Sequence, residues 1–251
     1  MVRVGVIADI HANLFALDAA LAELKWRGVD EIVCLGDVAS LGPQPAATLD
    51  RLREIGCPVV MGNTDAWLLD PPPMETADES DRATFALNAW CAAQLTPAHL
   101  AYIASFPPTW TLTRDGTTAL FFHGSPRSYD DIITATTPDA DVDAMCKGLD
   151  AMCAGLVPAL FVGGHTHIPL VRRYRDGRLL NPGSVGLPGV GAGPPPQNRN
   201  VDWGEYAVFD MDGDRVHSVA LHRLPLDVGA MLHIAAECDM PERKWWESKW
   251  Q

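Results

Sequence analysis

Apolar residues fall into two rhythms along this chain. Short runs of consecutive aliphatic residues alternate with stretches in which leucine recurs every three or four positions. Val2-Arg3-Val4-Gly5-Val6-Ile7 is the first run and reads as a central strand of a sheet buried on both faces. Leu14, Leu17, Leu21 and Leu24 then trace one face of a helix over 14–27, with Asn13 as its cap and Gly28 at its end. Glu31–Leu35 is a second strand. Pro43–Ile55 is a second helix with proline near its start, broken by Gly56-Cys57-Pro58. Val59–Met61 is a third short strand. Strands alternating with helices at this spacing predict a parallel α/β sheet.

The rhythm changes after that. Asp70-Pro71-Pro72-Pro73 opens a helical excursion at about 69–108, with helices over 80–94 and 97–105, the latter capped by Thr96. The excursion is expected to cover one side of the sheet, with Trp67 and Trp90 filling core or interface. Three Asp-Gly pairs, at 115–116, 176–177 and 212–213, sit between β-rich runs and predict hairpins. These join 110–114 to 117–122, 170–174 to 178–180, and 206–210 to 216–221. A buried strand is expected at 159–162 and helices at 139–154 and 227–237. Met145, Leu149, Met152 and Cys153 form the apolar stripe of the first of these helices. Gly189–Arg199, dense in glycine and proline, reads as a surface loop. The tail at about 240–251 carries Trp245, Trp246 and Trp250 and is expected to pack on the body or on a partner. No internal repeat is visible, and 1–251 reads as one domain.

Composition narrows the function. A net charge of −13 over 251 residues argues against general nucleic-acid or membrane-surface binding. A small phosphorylated substrate stays compatible, because bound metal reverses the field locally. The six cysteines, Cys34, Cys57, Cys91, Cys146, Cys153 and Cys238, form no C-x-x-C and read as reduced core residues. The chain enters a strand at once, with no charged and apolar leader, and no apolar run reaches the ~18–20 residues of a membrane span. The expectation is a cytoplasmic protein, with oligomeric state left open.

The chemistry lies just past the strand ends. Asp9 and His11 end the first, Asp37 the second and Asn63 the third, while His123 comes after 117–122 and His165 and His167 after 159–162. Four of the eight histidines sit in these segments. Ligands in open α/β sheets gather at the carboxyl ends of the strands, so five distant segments should deliver their donors to one edge. Seven donors are too many for one tetrahedral zinc and suit two metals that share a carboxylate. Mixed carboxylate, amide and imidazole donors suit manganese, iron or zinc.

The series Asp9-x-His11, Gly36-Asp37, Gly62-Asn63, His123-Gly124 and Gly164-His165-Thr166-His167 resembles the calcineurin-like metallophosphoesterase superfamily. Asn181-Pro182-Gly183-Ser184 after the last histidines resembles its smaller, single-domain phosphodiesterase branch. The resemblance spans roughly 2–184 and leaves the tail outside. It implies a four-layer α/β/β/α sandwich with two facing mixed sheets and a pair of divalent ions at one edge. By position, Asp9, His11 and His167 would hold one ion, Asn63, His123 and His165 the other, and Asp37 would bridge them. It further implies attack of a metal-bridging hydroxide on a phosphate ester.

There is one departure. Many members place a histidine after the asparagine, where it protonates the leaving oxygen, and this chain has Thr64. A threonine hydroxyl does not titrate near neutral pH. Either the leaving group is good, or another group supplies the proton. Asp65 is the candidate, with a helix cap as its plain alternative. Arg127 is a candidate fork for phosphate oxygens or an exposed loop charge, and Asn13 and Arg199 are further candidates for substrate contact. A phosphodiesterase acting on a small phosphorylated substrate, nucleotides included, is the leading function. Alternatives are a nucleotide pyrophosphohydrolase of the dinucleoside polyphosphate type and a non-catalytic protein-binding scaffold. The scaffold expects lost ligands, and all seven positions hold competent donors.

Overall fold

Strand β1 (Val2–Ile7) runs up the centre of the first sheet, and its two faces diverge at once. In this computed structural model, residues 1–73, 78–148, 153, 155–190, 199–213 and 215–250 are described. Val4 and Val6 turn to one side and Ile7 to the other, as the two-residue period of a strand requires. Helix α1 (Leu14–Trp26) follows, with the Asn13 side chain accepting from Ala16 N. Strand β2 (Glu31–Cys34) pairs parallel with β1, and helix α2 (Pro45–Ile55) comes next.

The expected third strand is reduced to a single parallel bridge between Cys34 and Val59. Val60 N still donates to Cys34 O, but Met61 N turns away to Pro107 O. Pairing stops there because Gly62 bends the chain towards Asp37. The residues after it form helix α3 (Asn63–Leu69). Helices α4 (Glu79–Ala93) and α5 (Pro97–Ala104) complete the expected excursion. Leu68, Leu87, Cys91 and Ile103 bury themselves with Leu17, Leu49 and Leu52 on the outer face of the first sheet.

Strands β3 (Thr109–Arg114) and β4 (Thr117–Phe122) form the first predicted hairpin. Helix α6 (Asp139–Met145) stops well short of the expected end. Leu149 and Met152 of its stripe lie outside the described residues, while Cys153 is buried. Strands β5 (Leu160–Val162), β6 (Leu170–Tyr174) and β7 (Gly177–Asn181) follow, with β4, β5 and β7 parallel and β6 antiparallel to β7. Within the expected surface loop, β8 (Gly189–Val190) pairs with β9 (Arg199–Asn200), and residues 191–198 lie outside the described residues. Strand β10 (Trp203–Met211) pairs antiparallel with β1, and β11 (Val216–Pro225) pairs antiparallel with β10 to close the first sheet. Helices α7 (Val228–Ala236) and α8 (Arg243–Ser248) end the described chain.

The two mixed sheets implied by the resemblance are present, ordered β11-β10-β1-β2 and β3-β4-β5-β7-β6, and the parallel pairing read from the strand–helix alternation holds within them for β1 with β2 and for β4, β5 and β7. They face each other across a dry layer in which Val4, Val6 and Phe209 meet Phe121, Leu160 and Val162. Helices α1 to α5 cover one outer face, and α6 with Ile133 covers the other, which gives the four-layer sandwich. Burying about ten large side chains in such a layer contributes roughly 1.5–3 kcal/mol each, so the facing sheets form a rigid base for what sits at their edge. Trp246 and Trp250 of the tail join the core on the α1 side. The six cysteines are free thiols. Among the described residues no helix is long and apolar enough to cross a membrane.

Candidate metal centre

Three of the five segments leave their strands in an unusual backbone conformation. Asp9, His11, Ala12, Asp37, His165 and His167 all have φ between 50° and 69°. An L-residue there costs about 1–2 kcal/mol, so the surrounding structure must over-determine it. It does so by lacing the loops together. Asp9 N donates to Gly36 O at 3.1 Å, His11 N to Asp37 O at 2.9 Å, and Ala12 N to Val38 O at 2.8 Å. Gly186 N and the Ser184 hydroxyl both donate to the Asp9 carbonyl. Asn181 Nδ2 donates to Gly164 O at 2.6 Å, pinning the loop that carries His165 and His167.

The lacing requires close backbone approach. A Cβ on Gly62 would lie 2.1 Å from Asp37 Oδ1, and one on Gly186 would lie 1.7 Å from the Ile10 carbonyl oxygen. Only glycine lets these loops touch.

The loops bring the seven expected donors together. Asp9, His11 and His167 place one ligand atom each within 4.8 Å of one another, and so do Asp9, Asp37 and His123. The two carboxylate oxygens of Asp37 face different histidines, Oδ2 towards His11 Nε2 at 3.7 Å and Oδ1 towards His123 Nε2 at 3.5 Å. A carboxylate so placed could bridge two cations. Asn63 Oδ1 is 3.1 Å from His123 Nε2, and the His165 ring packs 5.2 Å from that of His123.

The tautomers suit the set to a cation. His123 Nδ1 donates to the Leu35 carbonyl at 2.7 Å, and His167 Nδ1 to the Leu187 carbonyl at 2.7 Å, since a carbonyl can only accept. In the neutral form, their Nε2 atoms would aim lone pairs at other acceptors. His167 Nε2 lies 3.0 Å from His11 Nε2 and 3.4 Å from Asp9 Oδ1. Asp9 Oδ1 is buried and has no hydrogen-bond partner. Lone pairs so crowded repel unless a proton or a metal cation lies among them, and backbone-fixed imidazoles of this kind can present nitrogen to a metal.

The titration pattern carries the same message. Burial alone would pull His123 down, yet the adjoining Asp37 raises it to about 10. Burial outweighs Asp37 at His11 and lowers it to about 4. Burial would raise Asp37, but His123 and His11 hold it well below the usual carboxylate range.

The remaining candidates fall elsewhere. Asp65 is fully buried. Its Oδ2 accepts from Asp37 N at 2.7 Å and Gly62 N at 3.2 Å, and its Oδ1 from Val38 N at 2.9 Å. Burial and Asp37 raise it to about 7, but its oxygens face the backbone beneath the donors and brace the two loops. Thr64 N donates to Asp37 Oδ1 at 2.9 Å, while the buried Thr64 hydroxyl has no partner. Asn13 is buried as the α1 cap, with Nδ2 donating to Gly186 O. Arg127 turns its Nε and Nη2 onto Asp131, so contact with substrate would require it to leave that partner. Arg199 is exposed on β9. The other histidines serve structure or surface: His99 completes the α5 capping box, and His217 pairs with Asp212.

A family model for the calcineurin-like phosphoesterase superfamily domain matches residues 2–214. The chain belongs to that superfamily. It is 27% identical to an uncharacterized protein of Methanocaldococcus jannaschii, over 95% of this chain and 94% of that one. A metallophosphoesterase from Sphaerobacter thermophilus superposes with a TM-score of 0.70 at 25% identity, covering 99% of this chain and 97% of that one. That superposition extends through the tail region, which the superfamily model leaves out. A hypothetical protein from Pyrococcus horikoshii OT3 shares the fold at a TM-score of 0.74 and 21% identity, covering 96% and 95% of the two chains.

Proposed function

We propose that this calcineurin-like chain is a phosphodiesterase that works with two divalent ions on a small phosphorylated substrate. The observation that carries the proposal is the bridging posture of Asp37, one oxygen towards His11 and the other towards His123, at a site where Asp9 Oδ1 is buried without a hydrogen bond, 3.4 Å from His167 Nε2. Asp9, His11 and His167 would hold one ion, and Asn63, His123 and His165 the other. Manganese, iron or zinc would suit these donors. When bound, such a pair lowers the pKa of a shared water and offsets charge building on phosphorus.

The chain's own residues do the rest. Asp37 sets the spacing of the two donor groups. Leu35 O and Leu187 O fix the ring orientations of His123 and His167. Asp65 ties the Asp37 loop to the start of α3, so both metal half-sites keep their separation. No titratable side chain follows Asn63 to protonate a leaving oxygen, and Asp65 faces away into the backbone. The substrate we assign is therefore one whose leaving group departs as a stable anion, as an activated diester does.

The test begins with metal analysis of protein purified without chelator. Two ions per chain are expected, and bis-aryl phosphate should be cleaved faster than aryl phosphate, cyclic nucleotide or dinucleoside polyphosphate. Faster cleavage of the dinucleoside polyphosphate would replace this reading with the pyrophosphohydrolase one. Protein that binds no metal and cleaves none of the panel would leave a scaffold.

A further inference from the structure

Beside the metal donors lies a cleft of about 540 Å³ that begins at His165 and His167 and ends at the C-terminal tail. Its volume is in the range that buries a small organic ligand. Its far wall is Trp245 and Trp246 of α8, and Ile132, Ile168 and Leu187 line it as well. Ile132 and Ile168 are 59% and 41% exposed, an unfavourable degree of hydration for large aliphatic side chains at the mouth of a polar site.

The aromatic wall is fixed. The Trp246 indole N–H donates to Leu41 O at 2.9 Å, its ring packs 5.7 Å from that of Trp250, and Asn200 N donates to Lys249 O at 2.6 Å. Trp245 remains half-buried, with Lys249 Nζ 4.6 Å from its ring centroid. Lys249 is the one lysine or arginine among the described residues that line the cleft. A polyphosphate chain would need several cations along its path, whereas a flat apolar ring needs what is present: aromatic faces, aliphatic edges and a few hydroxyls and amides such as Thr134 and Asn200.

We propose that the cleft is the subsite for the organic arm of the phosphate ester, and that this arm is a planar aromatic ring packed against Trp245, with the phosphoryl group at the metal donors. This rests on the phosphoesterase reading above and adds the substrate class. Two sources present such a ring next to one phosphoryl group, a nucleoside and a simple aryl alcohol. The tail, outside the superfamily match, becomes the specificity element of the site.

Calorimetric binding to the metal-loaded protein tests it apart from turnover. The ligands are methyl phosphate, phenyl phosphate and adenosine 5′-monophosphate. At least one aromatic ligand should bind roughly tenfold tighter than methyl phosphate, the size expected of ring stacking on an indole. A gain for adenosine monophosphate over phenyl phosphate marks a nucleoside, and the reverse or equality marks an aryl group. In Trp245→Ala the preference for the aromatic ligand should collapse to within about twofold. Ile168→Ser, on a smaller side chain of the same cleft, repeats the comparison should the first variant melt early. Equal binding of all three ligands, or a preference that survives both substitutions, overturns the proposal even if the enzyme cleaves diesters. Ring preference in a protein that cleaves nothing would instead sink the phosphoesterase reading and leave the subsite standing.

Discussion

At the scale of single residues, two of the histidines at the site, His123 and His167, have their Nδ1 atoms already engaged by backbone carbonyls. His123 illustrates the consequence. With Asp37 holding it at about 10, its Nε2 carries a proton at pH 7 before metal arrives. A divalent ion can take that lone pair only by displacing the proton. The sign follows: metal binding releases a proton, affinity climbs as pH rises towards the His123 value, and it falls in acid. Calorimetry in two buffers of different ionisation enthalpy at pH 7 should show net proton release, and a pH-independent affinity with no release would contradict it. Removing a donor should be felt at the chemistry and little elsewhere. Asp37→Asn and His165→Ala are expected to lower metal-dependent diester hydrolysis on the order of 100-fold or more, with far-ultraviolet circular dichroism unchanged. Full activity in either metal-loaded variant refutes the assignment.

At the scale of elements, the informative junction is where the loop after β2 meets the start of α3. Asp65 supplies acceptors to three backbone N–H groups there, on Asp37, Val38 and Gly62. Asp65→Ala leaves those donors buried and unsatisfied, a penalty of about 1–3 kcal/mol for each that water cannot reach. Urea denaturation should register the loss as a lower midpoint. If Asp65 instead acted only as a proton donor, stability would hold and only slow leaving groups would suffer. Gly62→Ala drives a methyl group into the Asp37 carboxylate, and we expect about 1–3 kcal/mol of destabilisation together with at least tenfold weaker metal binding. Thermal melts with and without added manganese would separate the two effects.

At the scale of the whole molecule, the two facing sheets provide the base, and the tail fastens across it. Trp246 is 2% exposed and reaches Leu41 in the loop that follows β2, so the last helix clamps the loop region that carries Asp37. Trp246→Ala should cost about 3–5 kcal/mol by cavity formation and the lost hydrogen bond, read as a drop in denaturation midpoint. A variant as stable as the parent would show that the tail is dispensable to the fold.

Much of this was legible in the chain itself, for local reasons. Periodicity located β1, β2, α1, α2 and the three Asp-Gly hairpins, because strands and helices bury faces at fixed repeats. That the candidate donors would gather at one edge was legible too, because all but Asn63 follow strands that end there. Other features depended on contacts distant in sequence. Pairing of β10 with β1 turned a parallel sheet into a mixed one, since an antiparallel partner about 200 residues away leaves no mark on β1. Helix α3 formed from a helix-poor start because Asp65 caps it while bonding to the Asp37 loop. The left-handed backbone at Asp9, Asp37 and His167, the backbone contacts of Asp65, and the seat of the Trp-rich tail were likewise decided in three dimensions. Composition and spacing determine which groups a chain can offer; lone-pair direction, backbone strain and cleft walls arise only when separate segments share a boundary.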